Sequence, residues 1–319
     1  MLVRFTRNCP WNHCTFCSMY KGEKFELRTV AEICADIDAM AGLAKDLIAT
    51  SQELGHGGQI TRSAILTLVE KEPALNFHEG FGMLINWLAV GGTTAFIQDA
   101  NSMIMKPKDL VAALTHLRST FPTIGRVTTY ARSRTLVQRS PEALASICRA
   151  GLDRLHLGME TGDDTLLKHI KKGVTSQGHI EGGQKAMAAG FQVSEYWMPG
   201  LGGKALSQVH ALNTARVLNQ INPHYIRSRP FRAIPGTPLY HQVGSGGVEM
   251  LTPREGLLEI QAMVQALEVT SRVCFDHAGN HWKDGQGNLV FTHAYEGYKF
   301  PEEKSSVLER IQAGLAAAS

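Results

Sequence analysis

Three cysteines crowd into the stretch RNCPWNHCTFCSMYKG near the start of the chain: Cys9, Cys14 and Cys17. Their C-x4-C-x2-C spacing, in a loop directly after a strand-like run, lets three thiolates reach one soft-metal centre. The count matters as much as the spacing. A fully ligated iron–sulfur cluster or a structural zinc asks for four protein ligands, whereas three leave one coordination position for an exogenous molecule. Two other readings stay open. A zinc knuckle could recruit His13, although adjacent residues such as His13 and Cys14 seldom close one tetrahedral site. An electron-transfer module of ferredoxin type would need one more cysteine. Cys34 and Cys148 fall on apolar faces of helix-like stretches and read as packing.

The loop follows a first strand predicted at residues 2–6 (LVRFT). Thr29 and Glu32 form a capping-box pattern, and Val30, Ile33, Cys34, Ile37, Ala41, Ala44, Leu47 and Ile48 recur at helical spacing behind it. The stretch from about 50 to 88 reads as a helical insertion, since it separates the first two strands by more than one crossover needs. Further strands are predicted at 93–97, 126–130, 153–157, 191–197 and 224–229. Amphipathic helices alternate with them, opened by Ser140-Pro141, Asp163-Asp164 and Thr252-Pro253. Strands alternating with helices imply βαβ units and a parallel sheet.

On these residues the chain resembles the radical SAM superfamily, in the branch of methylthiotransferase-like and oxygen-independent coproporphyrinogen oxidase-like catalytic domains. The family loop is C-x3-C-x2-C with an aromatic residue before the last cysteine, here Phe16; the first spacing in this chain is one residue longer. The resemblance covers roughly residues 2–240 and implies an α/β fold: a partial six-stranded (β/α)6 barrel over 1–240, with the insertion at about 50–88. A C-terminal helical and loop extension, 241–319, is expected to pack on the barrel. It further implies a [4Fe–4S] cluster held by Cys9, Cys14 and Cys17, and S-adenosyl-L-methionine (SAM) as the second cofactor, cleaved reductively to a 5′-deoxyadenosyl radical. In α/β barrels the active site lies at the carboxyl ends of the strands, so the strand-end residues become the cofactor candidates. Asp99 and Asn101 follow the second strand, where the common Gly-Gly-Glu form is missing, and Tyr130, Arg132 and Ser133 end the third. Glu160 ends the fourth in LHLGMETGDD, suited to ribose hydroxyls or an ammonium. Met198 and Gly200 stand in SEYWMPGLGG, which resembles an adenine-contacting turn. Arg227 and Arg229 lie two apart on the sixth strand and so share a face. If that face is interior, they call for an anionic substrate or the SAM carboxylate. No residue is assigned as catalytic.

Beyond residue 270 the periodicity fades. Cys274, His277 and His281 could form a metal site or a hydrogen-donating thiol, burial being the favoured reading, and residues 270–300 are available as a lid over the barrel mouth. A net charge of +3 over 319 residues is too small to argue for nucleic acid. No cobalamin-binding domain is expected before the first strand and no nucleic-acid-binding domain after the barrel, so tRNA modification loses support. The N-terminus is too quickly polar for a signal peptide and no apolar run reaches transmembrane length. The expectation is a cytoplasmic enzyme of anaerobic metabolism acting on a small molecule, with an electron donor such as flavodoxin or ferredoxin and no membrane. The rival is a non-catalytic iron–sulfur or zinc-binding electron-transfer protein on a barrel remnant.

Overall fold

The computed structural model describes residues 1–317. Strand β1 (Leu2–Arg4) leads into the cysteine loop, whose two stems pair as the short antiparallel strands β2 (Thr6–Arg7) and β3 (Glu26–Leu27). Helix α1 (Val30–Glu53) begins with the predicted capping box: Thr29 accepts from the Glu32 amide while the Glu32 carboxylate accepts from the Thr29 amide. The insertion is helical, comprising α2 (Arg62–Lys71), a 3-10 turn at Pro73–Phe77 and α3 (Glu79–Ala89), and it packs on α1 around Leu47, Leu68 and Phe81.

The βα units then follow in order: β4 (Thr94–Gln98), α4 (Pro107–Thr120), β5 (Arg126–Ala131), α5 (Ser133–Gln138), α6 (Pro141–Arg149), β6 (Arg154–Glu160), α7 (Asp164–His169), α8 (Ser176–Ala188), β7 (Gln192–Trp197), α9 (Gly203–Ile221) and β8 (Tyr225–Ser228). Ser140, Asp163 and Thr252 cap their helices as the sequence signals imply. After α10 (Pro238–Gly244) and α11 (Pro253–Ala266) come β9 (Arg272–Cys274), β10 (Tyr298–Lys299) and α12 (Lys304–Ala317).

Among the described residues the main sheet has eight strands in the order β1-β4-β5-β6-β7-β8-β9-β10, parallel throughout except for β10 at its end. It is mostly parallel and not closed: β1 and β10 are free edges, as in a partial barrel. All six predicted strands are present, and the sheet carries a seventh parallel strand, β9, from the region where the sequence pattern fades. The C-terminal extension therefore continues the sheet as well as packing on it.

The period of two along each strand sorts the side chains into two environments. One face packs under the helices: Ile97, Val127, Leu155 and Val193 belong to one apolar core, and Trp197, Ile226, Val273 and Phe275 to a second. The other face lines the barrel interior, and there the same strands present Phe96, Tyr130, Arg154, His156, Tyr196, Tyr225, Arg227 and Cys274. The registers Tyr130↔His156, Gly158↔Tyr196, Tyr196↔Arg227 and Arg227↔Cys274 put these in lateral rows. A row of rings and guanidinium groups on a parallel strand face is not what packing against helices asks for. It marks the interior as a surface built for polar contacts.

Candidate active site

The cysteine loop lies across the carboxyl end of β6. The Thr15 amide donates to the Ile170 carbonyl at 3.0 Å, the Leu239 amide donates to the Thr15 carbonyl at 3.0 Å, and the Trp11 indole donates to the Lys171 carbonyl at 2.7 Å. Gly173, at φ +74°, lies against the Trp11 ring so closely that a Cβ would overlap it. From the other side Asp99 at the end of β4 holds the loop, accepting from the Asn8 amide at 3.3 Å and the Tyr20 hydroxyl at 3.2 Å, with Arg4 at 3.8 Å. Among the described residues, five of the six non-glycine residues with left-handed backbone (Asn8, Asn12, Asp99, Glu160 and Lys171) lie in or beside this loop. Such conformations cost about 1–2 kcal/mol each for ordinary residues. They persist where surrounding contacts over-determine the geometry, which happens at functional sites.

Cys9, Cys14 and Cys17 are free thiols of intermediate burial. Burial pushes the Cys14 thiol up, while the positive charges of Lys172 and Arg132 pull it down. The Arg132 guanidinium feels both Cys14 and Cys9, and its own pKa is lowered by burial. Arg132 donates to the Lys172 carbonyl at 2.5 Å and stacks on Trp11, 4.7 Å from the ring centroid. Two cations thus act on Cys14, and one of them on Cys9, in the direction that favours thiolate. Among the described residues no three His, Cys, Asp or Glu side chains converge as on a single ion. Thiolates of a cubane cluster each bind a different iron, so their sulfurs are not required to converge in that way.

Glu160 stands at the β6 bulge, its strand register shifted between Gly158 and Glu160, at φ +66°. Its Oε1 accepts from Lys172 Nζ at 2.7 Å, both side chains being mostly buried, and among the described residues no hydrogen bond reaches Oε2. The Glu160 carbonyl accepts from the Met198 amide. Phe16 and Met198 meet in one small apolar cluster with Leu166, Ile170, Leu201, Phe231 and Leu239, so the cysteine loop and the turn after β7 share a wall. That turn is fixed by Glu259 of α11, whose carboxylate accepts from the Gly200 amide at 2.6 Å and from Ser207 at 2.7 Å. His210 bridges behind it, between Thr161 Oγ1 and the Met198 carbonyl.

The other expected residues divide into two groups. Asn101 and Ser133 are buried with partners of their own: Asn101 bonds Thr135 Oγ1 and the Arg132 amide, and Ser133 bonds His179 Nδ1. Tyr130 and Arg229 open onto the barrel interior. Arg229 lies over the Tyr196 ring at 4.6 Å and pairs with Asp276 at 3.2 Å, an acid that also holds Arg227 at 2.9 Å. Cys274 faces the interior beside Arg227, whereas His277 and His281 engage the backbone of Gly279. The strand-end reading singled out neither Lys172, Trp11, His156, Tyr196 nor Glu259. Of these, His156 and Tyr196 were open to the two-residue alternation on their strands.

The fold and the site together define a SAM-type partial barrel with a cysteine loop docked over its strand ends. The family model described as the Radical SAM superfamily matches residues 3–213, and the chain belongs to that superfamily of enzymes. Among solved structures it is similar to archaeal Methanocaldococcus infernus Elp3 with an N-terminal deletion, at 16% identity and a TM-score of 0.51 over 72% of this chain and 57% of that one. It is also similar to methylornithine synthase, at 15% identity and 0.48 over 84% and 63%, and to coproporphyrinogen III oxidase from Escherichia coli, at 12% and 0.44 over 54% and 39%. The chain thus spans less than two thirds of the length of each of these structures. No curated protein matches it. Among the described residues no helix is long and apolar enough to cross a membrane.

Proposed function

We propose that Cys9, Cys14 and Cys17 hold a [4Fe–4S] cluster and that the chain uses it, with SAM, to act on a small molecule bound inside the barrel. The observation carrying this reading is three free thiols in one loop tied down at both ends, with Lys172 and Arg132 acting on Cys14 and Arg132 also on Cys9. When bound, the cluster supplies an open iron and one electron for cleavage of SAM to methionine and a 5′-deoxyadenosyl radical.

The chain's own residues then have distinct tasks. The thiols bind, and Lys172 and Arg132 offset their charge. Glu160 offers Oε2 to a ribose hydroxyl or an ammonium while Lys172 holds Oε1. Met198 and Phe16 present an apolar wall to the adenine, and Glu259 orients the Gly200 peptide beside it. Asp99 and Asn101 set the loop and strand end from behind. An electron donor such as flavodoxin or ferredoxin, a cytoplasmic setting and low oxygen complete the proposal.

Anaerobic reconstitution with iron and sulfide, reduction by dithionite and assay for 5′-deoxyadenosine test it. Uncoupled 5′-deoxyadenosine is the expected product. A complete cluster that leaves SAM intact would mean an electron-transfer protein, and zinc retained in place of iron would mean a structural knuckle.

A further inference from the structure

Apart from the cations beside the thiols, the barrel interior holds a second group. Arg154, Arg227 and Arg229 face the interior from β6, from β8 and from just after β8. Two of them share one carboxylate, Asp276, while Arg154 meets Gln192 Oε1 and the hydroxyls of Tyr295 and Tyr225. Glu296 is on the same wall but pairs with Arg272 and accepts from Tyr225. Arg227 is fully buried over the Tyr295 ring, and among the described residues its Nε and Nη2 have no hydrogen-bond partner. A buried guanidinium left partly unpaired is costly. The excess charge is felt by His156: burial, and then Arg227, Arg154 and Arg229, hold its pKa down at about 3.

Beside these cations stands a wall of rings. Phe96, His156 and Tyr196 lie nearly parallel on β4, β6 and β7, at centroid spacings of 5.9 and 5.2 Å, and Tyr130 leans against all three at 5.0–6.3 Å. Tyr130 is 40% exposed and the Arg229 side chain 26%, so one ring and one guanidinium of the group are accessible to solvent, whereas His156 is buried.

Resting on the reading that substrate enters the barrel, we infer that this wall binds a small planar organic acid. Its carboxylate sits on Arg229 and its flat body against Tyr130 and Tyr196. Arg227 and Arg154 sit behind and supply the positive field. The anion is substrate, not the SAM carboxylate, because Arg229 is held over Tyr196 and against Asp276, whereas the cations at the cysteine loop are Lys172, paired with Glu160, and Arg132, stacked on Trp11.

Calorimetric titration of the cluster-free chain with benzoate and with benzamide, its neutral near-isostere, tests the inference apart from any radical chemistry. Benzoate should bind at least about tenfold more tightly than benzamide, and Arg229→Gln should weaken benzoate at least about tenfold. The same variant, reconstituted, should keep its SAM affinity. Equal affinities for the two probes, or no saturable benzoate binding up to about 20 mM, overturns the inference, as does an Arg229→Gln protein that loses SAM and keeps benzoate. Should Arg229→Gln not fold, the two probes on the unaltered chain decide. A chain that prefers benzoate yet makes no 5′-deoxyadenosine refutes the radical reading alone; one that makes 5′-deoxyadenosine but treats the probes alike refutes this one alone.

Discussion

Cys14 illustrates how much of the site is electrostatics around one atom. Burial most of all, then Glu160 and Cys17, favours the neutral thiol, and Lys172 and Arg132 oppose it with positive charge. Replacing Cys9, Cys14 or Cys17 singly with Ala should remove most cluster iron, since water is no match for thiolate as a soft ligand. Cys34→Ala and Cys148→Ala should leave iron and visible absorption as they are; iron retained by Cys14→Ala would overturn the ligand assignment. Glu160 carries a second consequence. Its pairing with Lys172 is mostly out of water, so Glu160→Gln strands a cation and should destabilise the fold by about 3 kcal/mol. Glu160→Gln combined with Lys172→Met should recover much of that loss in a denaturant-unfolding cycle, because no unpaired charge remains. Additive losses in the cycle would mean that the two side chains act independently.

The turn after β7 shows a single element being held from a distance. Gly200 stands at φ +82°, and its amide is fixed by Glu259, a residue 59 positions further on, in α11. Burial raises the Glu259 pKa from its ordinary 4.5 to about 7, against the opposing pull of Ser207 and the Gly200 amide. The folded chain therefore holds this proton more tightly than the unfolded one. The stability this gives is complete below pH about 4.5 and is lost as pH rises through 7, by roughly 3 kcal/mol. Glu259→Gln keeps both hydrogen bonds and should flatten that slope, so that it gains on the parent chain between pH 5 and 8; parallel pH–stability curves would refute the assignment.

This dependence on partners far along the chain also explains what could be read beforehand. The six strands and the capped helices were legible because alternation, capping boxes and Pro or Gly punctuation are local signals. Strand β9 was not, being three residues long amid a polar loop. Lys172 was not either. Nothing near it in sequence shows that it meets Glu160, or that Trp11 packs on Gly173 some 160 residues on.

At the scale of the whole molecule, β9 decides what the C-terminal segment is for. Read from sequence, residues 270–300 were available as a lid, and a lid can be cut away while the barrel stands. In the structure β9 pairs in parallel with β8, and the segment beyond it supplies Tyr295 and Glu296 to the interior. It also supplies Val273, Phe275, Val290, Phe291, Tyr298, Phe300, Val307, Ile311 and Leu315, each no more than 6% exposed, to the core that covers Trp197 and Ile226. At about 1.5–3 kcal/mol for each fully buried side chain, their loss exceeds 10 kcal/mol, most of what a domain has to spare. Truncation after residue 268 should therefore abolish cooperative unfolding and give an aggregating chain, with β8 left as an open edge. A milder cut, after residue 303, removes only α12 and should weaken the fold without emptying the barrel interior. Near-ultraviolet circular dichroism and thermal melts of the two truncations decide between the readings: a sharply melting 1–268 chain that still takes up iron would return the segment to the status of a lid.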